Sequence, residues 1–214
     1  MAGLKTISEQ VYQTLYEEIT SGQLQQGEKL TLKMIQNRLG VSSSPIREAL
    51  TRLSDDGLIS YQPNIGMTVI SLSKNDASEI FALAREFDSM ALRFAWAAGA
   101  RDDLIAQLKH VQQDAAAALE SGRQDEWLLL SDEFHNVIFR HCGNSRLMDA
   151  AEKSRKQISV LSHLYQQDAV NMREIQKEHD EILAALEEGD IRHADKLMRA
   201  HLDSSGRKGL ALFD

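Results

Sequence analysis

The segment Leu39-Gly40-Val41-Ser42-Ser43-Ser44-Pro45-Ile46-Arg47-Glu48-Ala49-Leu50 constrains this chain more than any other. It reads as a helix end, a tight turn and the start of a second helix. Gly40 suits the left-handed position that closes a helix. Ser42, Ser43 and Ser44 offer N-cap oxygens, and Pro45 fits a first helical turn. Glu48 lies four residues after Ser44, so a strict capping box is not formed. Ile46, Ala49, Leu50 and Leu53 fall on one face of the new helix, with Arg47, Thr51 and Arg52 largely on another. This is the layout of a helix-turn-helix, whose second helix offers its N-terminal end to the DNA major groove.

Length and composition bound the rest. The 214 residues suffice for one large domain or two small ones. Hydrophobic residues make up 43%, enough for a core, while aromatics are only 6% and there are two prolines. These values favour a mostly helical protein. No run of about 18 apolar residues is present, so no membrane-spanning helix is expected. The N-terminus lacks a basic segment followed by an apolar one, which argues against a secretory signal. Cys142 is the sole cysteine, so no intrachain disulfide can form, and a cytoplasmic location is expected. The net charge of −8 argues against general affinity for nucleic acid. The acidity is uneven, however: residues 1–73 hold six basic and seven acidic side chains, against 18 and 25 in residues 74–214. A near-neutral first part can bind DNA if its cations gather on one face.

Residues 7–21 read as an amphipathic helix, with Val11, Leu15 and Ile19 recurring at helical spacing. Gly27 to Leu30 reads as a turn into a second helix over 32–39, and a third helix runs from Ser44 to Asp56 and stops at Gly57. Residues 58–61 and 67–70 read as paired strands around a turn at 62–66. Three helices and a hairpin make a winged helix-turn-helix over residues 1–70, with Gly66 at the wing allowing close backbone approach to DNA. Residues 71–75 read as a linker. The remainder, 76–214, reads as an antiparallel all-helical bundle, with six helices at 75–98, 102–121, 125–142, 145–166, 172–188 and 190–205. Gly206 to Asp214 is expected to fray.

Gly22-Gln23-Leu24-Gln25-Gln26-Gly27-Glu28-Lys29-Leu30, Leu39-Gly40-Val41-Ser42, Pro45 to Leu50, Leu53, Gly57-Leu58-Ile59 and Gly66 together resemble the GntR superfamily of bacterial transcription regulators. Phe134-His135, Gly143-Asn144, Glu178-His179 and Ala200-His201-Leu202 resemble its FadR-like branch, which carries an all-helical FCD ligand-binding domain. Six helices rather than seven match the shorter, VanR-like version. The resemblance implies DNA contacts from the second helix, the start of the third and the wing. It carries over to Lys33, Ser43, Arg47 and Gly66, and the neighbouring Ser42, Ser44 and Arg52 join them as candidates. Lys33 replaces what is often an Arg, and Ser43 stands where an Arg is usual. An Arg grips guanine O6 and N7 together, and a Ser cannot. An operator departing from the family's usual sequence, or weaker binding to it, is therefore expected. For Lys33 and Arg52 the alternative is a solvated surface charge.

Three histidines form a second constellation. His179 lies ten residues before the Gly189-Asp190 turn and His201 eleven after it. At about 1.5 Å per residue the two stand at nearly equal height on antiparallel helices. Imidazoles converging inside a bundle are plausible metal ligands. The resemblance implies the same, since many FCD domains bind a divalent metal (zinc, nickel or manganese) through one Asp and three His. The Asp normally precedes the first His by four residues. Here Ser131 occupies that position, and Asp132 is one residue later, at an i, i+3 spacing that still shares a face with His135. The expected set is Asp132, His135, His179 and His201. The alternative is a metal-free polar pocket whose histidines bind an anionic effector directly. Ser131 and Arg85, the latter with Asp88 on the first bundle helix, are candidates to hold that effector; an ordinary surface pair is the alternative for Arg85. His110, His141, His163 and His193 read as surface or packing residues, Trp96 and Trp127 as core or interface anchors, and Cys142 as a small buried residue.

Taken together, these features point to a homodimeric, ligand-responsive regulator of double-stranded operator DNA, released by a small carboxylate. Two other readings stay open at this point. A His/Asp site can activate water, as in a metal-dependent hydrolase, but the first 70 residues then go unexplained. A winged-helix module can also serve protein interaction alone.

Overall fold

The computed structural model describes residues 5–166 and 168–213. The first element, α1 (Ile7–Thr20), starts where the Thr6 hydroxyl accepts the Glu9 N–H, and buries Val11, Tyr12, Leu15 and Ile19. A two-residue strand, β1 (Lys29–Leu30), leads into α2 (Leu32–Leu39), which is capped by Thr31 and closed by Gly40 in the left-handed region at φ 67°. Helix α3 (Ser43–Asp55) follows after a three-residue turn, Gly40 to Ser42, and Ile46, Ala49, Leu50 and Leu53 are its buried face. The wing is β2 (Ile59–Gln62) and β3 (Gly66–Val69), with β1 added on the far side of β3 in the antiparallel order β1-β3-β2. Pairing of Gln62 with Gly66 leaves Pro63, Asn64 and Ile65 as the loop, and Asn64 takes the left-handed turn at φ 66°.

Ser73 and Asp76 form a reciprocal capping box, so α4 (Lys74–Ala97) begins inside the segment expected to be linker. Then come α5 (Arg101–Glu120), α6 (Gln124–His141), α7 (Ser145–Tyr165), α8 (Ala169–Glu187) and α9 (Ile191–Leu210), closed by a 3-10 turn, Ala211–Phe213. The described residues are thus mostly helical, a winged helix-turn-helix followed by a bundle of six helices. Helix α4 is the central member, packed on α9, α7 and α6, while α5 packs on α6 and α8.

Three expectations need correction. Gly27 to Leu30 is not turn alone, because Lys29 and Leu30 pair with Thr68 and Met67. The fifth bundle helix begins at Ala169 rather than 172, where the Asp168 carboxylate caps it. The segment from Gly206 does not fray: α9 continues through it, and Gly206 and Gly209 are buried. Both glycines lie against the Phe81 ring of α4, which a side chain at 209 would strike.

Head and bundle are joined by more than the linker. Val160 of α7 is buried in the same apolar cluster as Leu15, Ile46 and Leu53. Gly57 has φ 69°, and a side chain there would meet Lys153 and Gln157 of α7. Its carbonyl instead accepts the Gln157 side-chain amide at 3.1 Å. Glycine is needed here both for the turn and for the close approach.

Candidate metal centre and nucleic-acid interface

The helix-turn-helix displays its polar groups at the start of α3. Ser42 is the N-cap residue, but its hydroxyl makes no cap hydrogen bond. The Ser43 hydroxyl accepts from the Gln36 side chain at 3.1 Å, tying α2 to α3. Ser44 is exposed on the first turn of α3 and Arg47 at the start of the second, and Lys33 is exposed on the first turn of α2. Neither Arg47 nor Lys33 has an ion-pair partner among the described residues. Free amides and an unspent guanidinium at a helix N-terminus suit a phosphate-lined groove. Gly66, with φ 104°, opens β3, and the exposed Lys29 of β1 lies beside it. Lys29 was missed in the sequence because the two-residue strand that presents it has no periodicity to detect.

Arg52 is placed elsewhere. It lies in the last turn of α3, and its guanidinium stacks over the Tyr12 ring at 4.2 Å. Five residues separate it from Arg47, which rotates it by about 140° around the helix. It faces the seam between head and bundle, where the Tyr12 hydroxyl donates to Asp56 at 2.6 Å.

Inside the bundle, α6, α8 and α9 bring His135, His179 and His201 together. One ring nitrogen from each lies within 4.8 Å of the others. The Nε2 atoms of His179 and His201 are 3.2 Å apart. His201 directs Nδ1 to the Glu178 carboxylate at 2.7 Å, and His135 directs Nδ1 to Asp88 at 2.5 Å. His179 stacks on Phe134 with ring centroids 4.2 Å apart. His179 and His201 are buried, and His135 nearly so.

Burial pushes the His179 imidazole well below its ordinary pKa, and the neighbouring His201 and His135 add to the effect. Burial also lowers His201, although Glu178 opposes it. Burial alone would raise Asp88, but the Arg155 guanidinium and His135 hold it below the usual carboxylate range. The centre therefore combines imidazole donors, of which burial shifts His179 and His201 toward the neutral form, with carboxylates behind His135 and His201.

That donor set fits a divalent transition metal. Nitrogens bound at about 2.0–2.1 Å around a tetrahedral ion stand about 3.3 Å apart, close to the separation of the two Nε2 atoms. Carboxylates on the remote nitrogens fix ring orientation and raise ligand basicity. Asp132 does not join the cluster; its carboxylate accepts from the Ser159 hydroxyl at 2.8 Å. Glu178 supports His201, and the carboxylate that reaches His135 is Asp88, from α4. Nothing local in the sequence marks it, because its partner is 47 residues away.

Ser131 is buried and lines a small chamber beside His135 and His201. Arg85 does not face that chamber. It is paired with Glu86 and Asp203 on the outer surface of α4 and α9. The cation at the chamber is Arg155 of α7, 3.2 Å from Asp88 and 3.0 Å from the Asn136 side-chain oxygen. Sequence reasoning missed Arg155, which sits in a run of charged residues typical of a solvated helix face. Trp127 is fully buried and donates its indole N–H to Gln176, and Cys142 is buried.

Known families match both halves. The family described as "Bacterial regulatory proteins, gntR family" matches residues 7–69, and that described as "FCD domain" matches residues 79–204. The HTH-type transcriptional repressor GlaR of Escherichia coli (strain K12) is 26% identical over 198 residues, covering 89% of this chain and 90% of that protein. The HTH-type transcriptional regulator McbR of the same strain is 29% identical over 185 residues, covering 85% and 82%. In three dimensions the chain resembles E. coli McbR/YncC with a TM-score of 0.79 at 24% identity, covering 98% of each chain. It also resembles a putative transcriptional regulator GntR from Rhodococcus sp. RHA1, with a TM-score of 0.80 at 17% identity over 97% and 99%. These two likenesses show the fold.

Proposed function

Since the chain belongs to the GntR family of bacterial transcription regulators, in the FadR-like branch that carries an FCD domain, we propose that it is a repressor whose grip on operator DNA is controlled by a small carboxylate effector. The family consists of regulators rather than enzymes, so the hydrolase alternative is set aside. Among the described residues no helix is long and apolar enough to cross a membrane, in keeping with a cytoplasmic DNA-binding role.

On this reading residues 1–70 bind DNA, and residues 76–214 bind the effector and form the dimer. Ser42, Ser43, Ser44, Arg47, Lys33 and Gly66 meet one half-site, and a second copy meets the other about one helical turn away. Leu83 and Phe94 of α4 are exposed and lie eleven residues, about three turns, apart on one face. Such a stripe supports contact with a second copy.

The observation that carries the reading is the convergence of His135, His179 and His201 in a buried polar centre beside a chamber. These three residues would hold a divalent metal, with Asp88 and Glu178 orienting two of the rings. A bound metal would supply a Lewis-acid position for effector oxygens. Arg155 would complement the carboxylate charge. Ser131 lies where its hydroxyl can donate to the same ligand. An effector that binds one arrangement of the heads better than the other shifts DNA affinity by that difference.

Metal content and DNA binding test this together. Purified protein is expected to carry about one transition metal per chain, lost in His179→Ala. Operator duplexes recovered from a random pool should bind the wild type and be released by an acid that also raises its melting temperature. Protein that takes up no zinc, nickel or manganese on soaking would sink the metal site. Failure to select any duplex would sink the regulator reading.

A further inference from the structure

Two cavities meet at one pair of side chains. The inner chamber, beside His135, His201, Ser131 and Tyr165, holds about 30 Å³. The outer one holds about 450 Å³ and opens to solvent between α6, α7 and Tyr16 of α1. Asp132 and Arg155 line both. Arg155 is fixed between them, its guanidinium bonded to Asp88 and to Asn136, which lines the outer cavity, and stacked 4.5 Å from the Phe139 ring.

Size decides what each chamber can take. About 30 Å³ accommodates a ligating group or a water or two, not a carbon skeleton of any length. Cavities that enclose a whole organic ligand run to about 300–1,000 Å³, and the outer one reaches that range. A molecule that places an oxygen donor at the histidines and is larger than a two-carbon acid must therefore pass Arg155 and lodge its body outside. The outer lining offers Phe139, Met148 and the Tyr16 ring, together with Arg140, Lys156, Asp149 and Glu152. Aromatic and apolar side chains among balanced charges suit a neutral ring better than a second anion.

We propose that the two chambers are one bipartite effector site. The ligand is a carboxylate carried on a ring-sized apolar body, and that body touches the DNA-binding head directly through Tyr16. This rests on the effector reading above and adds the class of effector and its route to the head. Tyr16 belongs to α1, and Lys156 on the same cavity wall reaches Asp56 at the end of α3 at 2.6 Å. A body filling the outer cavity therefore presses on the contact that holds the head against α7.

The test uses metal-loaded full-length protein, calorimetry, and two probes, acetate and 3-phenylpropionate. Met148 is 39% exposed, so Met148→Trp fills the outer cavity without straining a core. The aryl acid is expected to bind at least tenfold tighter than acetate. Met148→Trp should weaken the aryl acid at least tenfold, leaving acetate binding and metal content unchanged, and Tyr16→Ala should weaken the aryl acid alone. Equal affinity for the two acids, or an aryl affinity indifferent to Met148→Trp, overturns the bipartite site while the effector reading stands. If neither acid binds and no metal is held, the effector reading fails, and the bipartite site with it.

Discussion

Arg155 and Lys156 are consecutive residues of α7, and their charged ends are held by different halves of the molecule. Arg155 bonds Asp88 in the bundle at 3.2 Å, while the Lys156 Nζ bonds Asp56 at the end of α3 at 2.6 Å. A hydrogen bond from Tyr12 of α1 completes the Asp56 side of this clamp. Burial would lower the Lys156 pKa, but its bonds to Asp56 and Glu152 raise it, so it stays charged in the physiological range.

The clamp should be measurable as a coupling between head and bundle. Both partners are largely shielded, at 21% and 15% side-chain exposure. A double-mutant cycle of Lys156→Met and Asp56→Asn, read by chemical denaturation, should give an interaction energy of about 0.5–3 kcal/mol. A value within error of zero would mean that the ion pair does not hold the head.

The histidine centre predicts a pH dependence for chelator-treated protein. His179 and His201 are lowered by burial in the folded chain, while in the unfolded chain they titrate near pH 6.5. Below that pH the unfolded state binds more protons. Stability is therefore full above about pH 6.5 and falls as the pH drops, by at most about 1.4 kcal/mol per unit for each histidine. The lowered Asp88 and Glu178 carboxyls act in the same direction only at more acidic pH, around and below about 4. Denaturation curves at pH 7.5, 6.5 and 5.5 check this, and a flat response would contradict the lowering of His179 and His201 by burial. His179→Phe should flatten the slope.

The two arginines of α3 should separate cleanly. Arg47→Ala is expected to cost about 1–3 kcal/mol of operator discrimination if the side chain grips a guanine. Arg52→Ala should leave DNA affinity nearly unchanged, because its guanidinium is spent on Tyr12; loss of that contact should instead cost about 0.5–1 kcal/mol of stability. Fluorescence anisotropy and thermal melting on the same two variants decide it. Equal losses of DNA affinity would put Arg52 back on the DNA face.

The C-terminal segment offers a stability test. A side chain at position 209 meets the ring of Phe81, itself only 4% exposed. Gly209→Ala should therefore destabilise by about 1–3 kcal/mol, the usual cost of overpacking. A change within about 0.5 kcal/mol is what a frayed tail would give.

Most of the helices, the wing and the fold class were legible in local sequence. Helical periodicity, the Gly40 turn and the serines before Pro45 specify the helix-turn-helix, since each is a local preference of backbone and side chain. The matched spacing of His179 and His201 about a tight turn foretold their meeting, because two antiparallel helices share one rise per residue. What lacked a local signal was left to tertiary structure. Lys29 and Leu30 become a strand only because β3 supplies the hydrogen bonds. Gly206 and Gly209 continue a helix because absent side chains let α9 sit on Phe81. Packing of α4 against α6 and α7 brings Asp88 to His135 and Arg155, whereas Asp132 and Arg85, equally plausible on spacing, turn to Ser159 and to Asp203. Spacing along one helix fixes the angle between its own side chains. Which of them face a neighbour depends on how that helix is rotated in the bundle, and burial of the whole apolar surface sets that rotation.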